Sequence, residues 1–378
     1  MNKMEIPLPP YGFLMRDLMV SGLYALSVNS FGDLELTGDY AAIKYPSEYA
    51  LINGAEALVR RLNSDSDVNI NGFLERFRRN YSSQLDSLRK MNNSTAIVNE
   101  LKSFVNICRS YINIITECNN ENISVIEHFS LILPESMESI RWYGGWNGST
   151  SRKSKKFKVN IPLIVAYFAL AGLSYFTLSL SRSKNTSTLL VAPIDSVVKA
   201  PSLLWAKSMK IPWFINVNQG RIRIADLPHL TRLFIVSLLL NGDRYHKVIV
   251  LSVSNRVEII EDNPQSSLSS LMSFASNLNS HVSSRLLSLM SERFINELRN
   301  EIGGYRKEAI EEAVNDVKYV LTQISDNVYK ALSGVLSPEE AIYMIARETY
   351  MRYSTYGRVI NDYLLKELRV SMRATLLG

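Results

Sequence analysis

Cysteine is nearly absent from this chain of 378 residues: only Cys108 and Cys118 occur, in no CxxC and in no Cys/His ligand spacing. That scarcity excludes a disulfide-stapled scaffold and a structural zinc site, and it predicts a reduced, cytoplasmic setting without a disulfide framework. Histidine is equally sparse. His128, His229, His246 and His281 fall in no HExxH or HxH pattern, so no metal centre is predicted. There is no P-loop, no GxGxxG after a strand and no GxSxG, and Gly144, Gly145 and Gly148 precede Lys153-Ser154 at the wrong spacing for a Walker motif. Asp226 with His229, and Asp243 with His246, stand at i and i+3, a spacing that fits local ion pairs better than a base and its orienting carboxylate. Without a catalytic constellation or a cofactor motif, the expectation is a non-enzymatic protein with no cofactor. At the N-terminus, MNKMEIPLPPYGF places prolines where a secretion signal needs an apolar core.

Acid is missing from one place in particular. From Arg141 to Lys158 the chain reads RWYGGWNGSTSRKSKKFK, with Arg141, Arg152, Lys153, Lys155, Lys156 and Lys158 and no Asp or Glu. Over the wider span from Arg141 to Lys247, sixteen Lys and Arg face only Asp195, Asp226 and Asp243. That span carries +13 and, against a chain total of +6, the remainder carries −7. Such asymmetry predicts a polyanionic partner for the middle of the chain, nucleic acid or an anionic membrane surface. Trp142 and Trp146 add faces for base stacking, Asn147 an amide that can read a base edge, and the cations phosphate contacts. Lys207 and Lys210 extend the basic character. Trp213–Val217 and Arg221–Ile224 alternate apolar and polar residues around Asn218-Gln219-Gly220, which predicts a hairpin with Arg221 and Arg223 on its polar face.

Charge of either sign is then absent from Val159 to Ser181. As a continuous helix rising ~1.5 Å per residue, this run would be long enough to cross a bilayer core of about 30 Å. Two readings follow: a membrane-associated protein anchored through a helix at 161–180, or a helix buried in a folded core. Ala166, Ala169, Ala171 and Gly172 permit close packing in either. The basic flank, the basic hairpin and the ordinary amphipathic helices beyond favour the buried helix, with the preceding basic segment as the contact surface.

Periodicity predicts helices over 12–25, 48–62, 71–91, 95–117 and 227–240, with Arg76, Arg78 and Arg79 on the solvated face of the third. Strand pairs are predicted at 31–36 with 39–44 and at 247–253 with 257–261, and a short strand at 189–193. After Pro264 four helices are expected, over 267–300, 305–333, 338–352 and 358–377, the third opened by a capping box of Ser337 and Glu340 with Pro338 at its first position. The class is α+β: a mixed, mostly helical N-terminal domain with short strand pairs over 1–262, then an all-α C-terminal four-helix bundle over 263–378.

The basic, Gly- and Trp-containing segment, the apolar helix IPLIVAYFALAGLSYF, the polar-tipped INVNQGRIRI and a closing helical bundle occur in this order. That layout resembles the large subunit of archaeal type I-A CRISPR surveillance complexes (Cascade). The resemblance implies a subunit that binds the guide RNA 5′ end, inspects double-stranded DNA for the protospacer-adjacent motif, helps start unwinding and recruits a nuclease-helicase beside the Cascade backbone and small subunits. It further implies phosphate contacts at Arg152, Lys153, Lys155, Lys156 and Lys158, motif reading by Asn147, a wedge at Asn218-Gln219, and no membrane.

Overall fold

The computed structural model describes residues 2–9, 11, 14–63, 88, 91–108, 125–127, 160–182, 187–197, 222–240, 246–253, 257–303 and 307–377. The elements in order are β1 (Asn2–Pro7), α1 (Leu14–Asn29), β2 (Asp33–Thr37), β3 (Tyr40–Tyr45), α2 (Glu48–Asn63), α3 (Ser94–Ile107), β4 (Val125–Glu127), β5 (Asn160–Pro162) and α4 (Leu163–Phe176). There follow β6 (Thr177–Arg182), β7 (Ser187–Val191), α5 (His229–Leu239), β8 (Val248–Val253), β9 (Val257–Asn263), α6 (Gln265–Asn277), α7 (Ser280–Ser288), α8 (Glu292–Ile302), α9 (Lys307–Leu332), α10 (Pro338–Tyr350), α11 (Ser354–Val359) and α12 (Asp362–Leu377). Short antiparallel sheets among helices, with a helical C-terminal region, make this the expected α+β class. The predicted helix over 71–91 lies outside the described residues.

The chain divides into two compact units. The first takes in Met1–Thr177, Arg182–Phe214 and Ile249–Asp262; the second takes in Leu178–Ser181, Ile215–Val248 and Asn263–Gly378. Within the first, α4 is the centre. All 14 of its residues are buried, so its apolar character is on every side and no amphipathic stripe is needed. Its widest contact is with α1, and two glycines set the spacing. A Cβ on Gly22 would collide with the Phe168 carbonyl oxygen and lie 3.1 Å from the Gly172 nitrogen; one on Gly172 would collide with the Leu18 carbonyl oxygen. The helices therefore cross backbone to backbone. On another side of α4 the Tyr175 hydroxyl donates to the Ala57 carbonyl of α2 at 3.2 Å, and Arg61 stands over the Tyr175 ring at 5.7 Å. Burial pushes the Tyr175 phenol up to about 12 despite the neighbouring Arg61.

The uncharged run is thus not one helix. Its helical part stops at Phe176, where Thr177 turns to extended backbone, its hydroxyl donating to the Leu173 carbonyl at 2.6 Å, and β6 follows. No helix among the described residues is long and apolar enough to cross a membrane, which corrects the reading of 161–180 as a spanning anchor. The polar Thr177, Ser179 and Ser181 alternate with Leu178 and Leu180, a period of two that suits a strand.

A second concentration of buried structure joins α1 to the chain after β7. Arg16 is buried, and its guanidinium donates to the Ser196 hydroxyl (3.1 Å), to the Pro9 carbonyl (2.7 Å) and to the Gly38 carbonyl, while its plane stands 3.8 Å over the Tyr11 ring. Asp17 accepts from the Ser196 N–H (3.1 Å) and hydroxyl (2.6 Å), and Ser21 accepts from the Ile194 N–H at 2.8 Å. Burial pushes the guanidinium down from its ordinary range, against the favourable fields of Tyr11 and Asp17. Every polar group here finds a partner, as a buried charge requires.

The N-terminal sheet runs in the order β1-β3-β2, antiparallel throughout, with Asn2 opposite Tyr45 and Asp33 opposite Lys44. β1 was not anticipated; Pro7 and Pro9 obscure a run in which Met4 and Ile6 alternate inward. At the end of α1, the Gly32 N–H reaches the Ser27 carbonyl (2.8 Å) and the Phe31 N–H the Val28 carbonyl (3.2 Å), a Schellman closure whose left-handed residue is Phe31, at φ 52°. Glycine ordinarily stands there, and a Cβ in this conformation costs roughly 1–2 kcal/mol. The helix predicted to run to 117 is described to Ile107. Cys108, buried in extended backbone at its C-cap, is disulfide-bonded, which corrects the expectation of a chain without such a bond. Farther on, β7 pairs antiparallel with β8, Ser187 opposite Val253, and β9 follows β8 in the same sheet.

In the second unit α5 packs with α6 and α9, and Thr231 joins Ser325 of α9 through hydroxyls 2.9 Å apart. The helix expected over 267–300 is three helices, α6, α7 and α8. Asn279 and Ser291 supply the breaks, because their side chains accept from the N–H groups of His281 and Phe294 and so begin new helices. The capping box at Ser337 and Glu340 forms as expected. Glu301, in the last turn of α8, takes the N–H groups of Ser354 (2.7 Å) and Thr355 (3.0 Å) and the Thr355 hydroxyl, and so closes the start of α11. Slight burial pushes this carboxyl up, but the three donors outweigh it and bring it down to about 2 from an ordinary 4.5. The depressed value means that Glu301 contributes stability above pH 4.5 that is lost as pH falls toward 2. Acid titration of unfolding free energy should therefore decline less steeply across that window in Glu301→Gln than in the parent; parallel curves would remove Glu301 from the acid response.

Candidate nucleic-acid interface

Arg141, Trp142, Trp146, Asn147, Arg152, Lys153, Lys155, Lys156 and Lys158 lie outside the described residues, as do Lys207, Lys210, Asn218, Gln219 and Arg221. What the structure defines is how the chain is held on either side of them. β4 and β5 form a two-stranded antiparallel ladder in which Val125 faces Pro162, Ile126 faces Ile161 and Glu127 faces Asn160. The two ends of segment 128–159, which contains the acid-free basic stretch, therefore meet as a hydrogen-bonded pair. From that ladder the chain passes through buried Ile161 directly into α4. A segment mounted in this way has its ends fixed to the most deeply buried helix of the unit.

β4 escaped sequence reading because it lies in CNNENISVIEHF, where asparagines dominate; the β-branched residues of Ile123-Ser124-Val125-Ile126 were the available signal.

The second basic stretch, 198–221, is likewise held at its start. Ile194 and Ser196 are the residues that Ser21, Asp17 and Arg16 bind, so α1 sets where the chain enters it. Arg223 is the one proposed contact residue among those described. It is exposed and forms no ion pair among the described residues. The hairpin arm expected over 221–224 is not a strand where it is described: Ile224–Asp226 is a single 3-10 turn with Arg223 at its N-cap, and the Ala225 N–H reaches the Ser179 hydroxyl at 3.4 Å. Pro228, at the N-cap of α5, holds Leu227 extended (ψ 155°), and the turn ends there.

No group of His, Cys, Asp and Glu among the described residues is arranged to hold a metal ion. His229 is exposed at the first turn of α5, and Asp243 lies outside the described residues. Around Arg16 and Asp17 the hydrogen bonds hold α1 to residues 194–196.

No protein-family model matches the chain. Over 356 residues it is 25% identical to a protein of Saccharolobus solfataricus that bears the name "Putative CRISPR-associated protein", an alignment that takes in 92% of this chain and 89% of that one. A similarity that spans both chains nearly end to end supports an association with CRISPR systems.

Proposed function

We propose that this chain is the non-enzymatic large subunit of a type I-A CRISPR interference complex. In this reading it binds the 5′ end of the guide RNA, recognises the protospacer-adjacent motif in duplex DNA and starts unwinding, in company with the Cascade backbone and small subunits and a nuclease-helicase. Base pairing would read the target, and the protein only the motif and the backbone. The observation that carries the proposal is the acid-free basic stretch at 152–158, in a segment whose ends are paired by β4 and β5 at the head of α4. The end-to-end similarity to a protein named for CRISPR association supports it.

Replacing Lys153, Lys155 and Lys156 by alanine is the direct test. Losing three phosphate contacts should lower the dependence of log affinity on log salt by about 2–3 for a motif-bearing duplex. An unchanged slope and affinity, measured by fluorescence anisotropy across a salt series, would assign those lysines to solvation alone. Gln219→Ala should slow duplex opening more than it weakens binding, and equal opening rates would remove the wedge.

A further inference from the structure

A cavity of about 730 Å³ in the first unit is lined by β1, by β3 and by the last turns of α3, and it falls within the ~300–1,000 Å³ range of ligand sites. Tyr40 and Tyr45 line it from the two ends of β3. At ~3.4 Å per residue of extended chain they stand about 17 Å apart, so the cavity is a cleft that follows the strands. On the helix side are Lys102, Val105 and Asn106. The end of that wall is fixed, because Cys108 is buried and disulfide-bonded.

Two polar groups in this cleft are open. Tyr45 is only 7% exposed, yet its hydroxyl makes no hydrogen bond among the described residues, where a buried polar group ordinarily has a partner. The Asn106 carboxamide has none either, and it both donates and accepts. The cations, in contrast, are taken. Lys3 pairs with Glu5 at 2.6 Å and Lys102 with Glu48, so a phosphate chain would find no unpaired lysine in these walls.

An elongated cleft with paired charges and open amide-matching groups complements a peptide backbone, whose units each carry an N–H, a C=O and no charge. β1 is moreover the outer strand of its sheet among the described residues, the position at which an extended peptide is added as a further strand. Met4 and Val105 give the cleft an apolar surface for alternate side chains of such a peptide.

We propose that this cleft takes an extended peptide segment of low net charge from another protein, about five residues long, held by the Tyr45 hydroxyl and the Asn106 carboxamide. The site lies apart from the basic segments and does not depend on their role.

Random heptapeptides displayed on phage are selected on the full chain. Enriched sequences, synthesised with blocked termini, are then measured by fluorescence anisotropy against the parent and three variants, with melting temperatures expected within about 2 °C of the parent. Tyr45→Phe, which removes only the hydroxyl, and Asn106→Ala should each weaken binding about two- to tenfold. Val105→Trp, which fills the cleft, should weaken it by roughly tenfold or more; if that variant unfolds, the other two still decide. N-methylation at alternate peptide residues should abolish binding in one phase and spare it in the other, as strand pairing requires. A selection that enriches no sequence, or enriched peptides that bind Tyr45→Phe and Asn106→Ala as tightly as the parent, would overturn the proposal. Oligothymidylate binding that is lost in Tyr45→Phe, with no such dependence for any peptide, would overturn it in favour of single-stranded nucleic acid.

Discussion

Gly22→Ala or Gly172→Ala is expected to destabilise the protein by about 3 kcal/mol or more, and Gly172→Leu to prevent folding. Each added Cβ would meet a backbone carbonyl of the facing helix, Phe168 for Gly22 and Leu18 for Gly172. A flexible side chain can turn aside, but here the two helix axes would have to separate. Separation would open voids along the largest helix contact of the first unit, so overpacking and cavity costs would add. Gly357→Ala provides the control, since a Cβ there meets nothing within 4 Å, and it should fall within about 0.5 kcal/mol of the parent. Urea denaturation of the three alanine variants decides the matter; a Gly172→Ala midpoint equal to that of Gly357→Ala would mean that the crossing is looser than described.

The second large effect is expected at the buried Arg16–Asp17 pair. Arg16→Met should cost about 3–5 kcal/mol, because it leaves Asp17 buried without its neighbouring charge and strips donors from the carbonyls of Pro9 and Gly38. Asp17→Ala should cost a similar amount by releasing Ser196. Since both residues bind Ser196, the double variant should fall short of the summed losses by at least about 1 kcal/mol. Strict additivity would show that the two side chains act separately and that no network joins α1 to residues 194–196.

Much of the helical layout was legible because burial imposes periods that a sequence displays. α2 and α10 fall within two residues of their expected ends, the first from its apolar stripe and the second from Ser337, Pro338 and Glu340. α4 was recognisable as an apolar helix, but where it stops depends on Thr177 and the start of a strand, which composition alone does not distinguish from more helix. The same limit made one helix of α6, α7 and α8: Asn279 and Ser291 are ordinary helix-surface residues until their side chains turn to cap.

The candidate site was legible in a different way. Charge patterning singled out the basic stretches, since an excess of one sign needs no three-dimensional information. How those stretches are mounted was hidden, because the partners are far apart in sequence: Val125 with Pro162, Asp17 with Ser196, Gly22 with Gly172. Phe31 is the extreme case. No composition marks a phenylalanine as the residue that will adopt a left-handed conformation; only the Schellman closure of α1 reveals it.

The ladder of β4 with β5 also bears on what the length of the segment it closes would cost. Closing a segment at its base makes the cost of its length logarithmic, about 0.6 kcal/mol for each doubling. Pairing Glu127 with Asn160 joins residues far apart in sequence, and lengthening the span between them would raise the cost of that pairing only slowly.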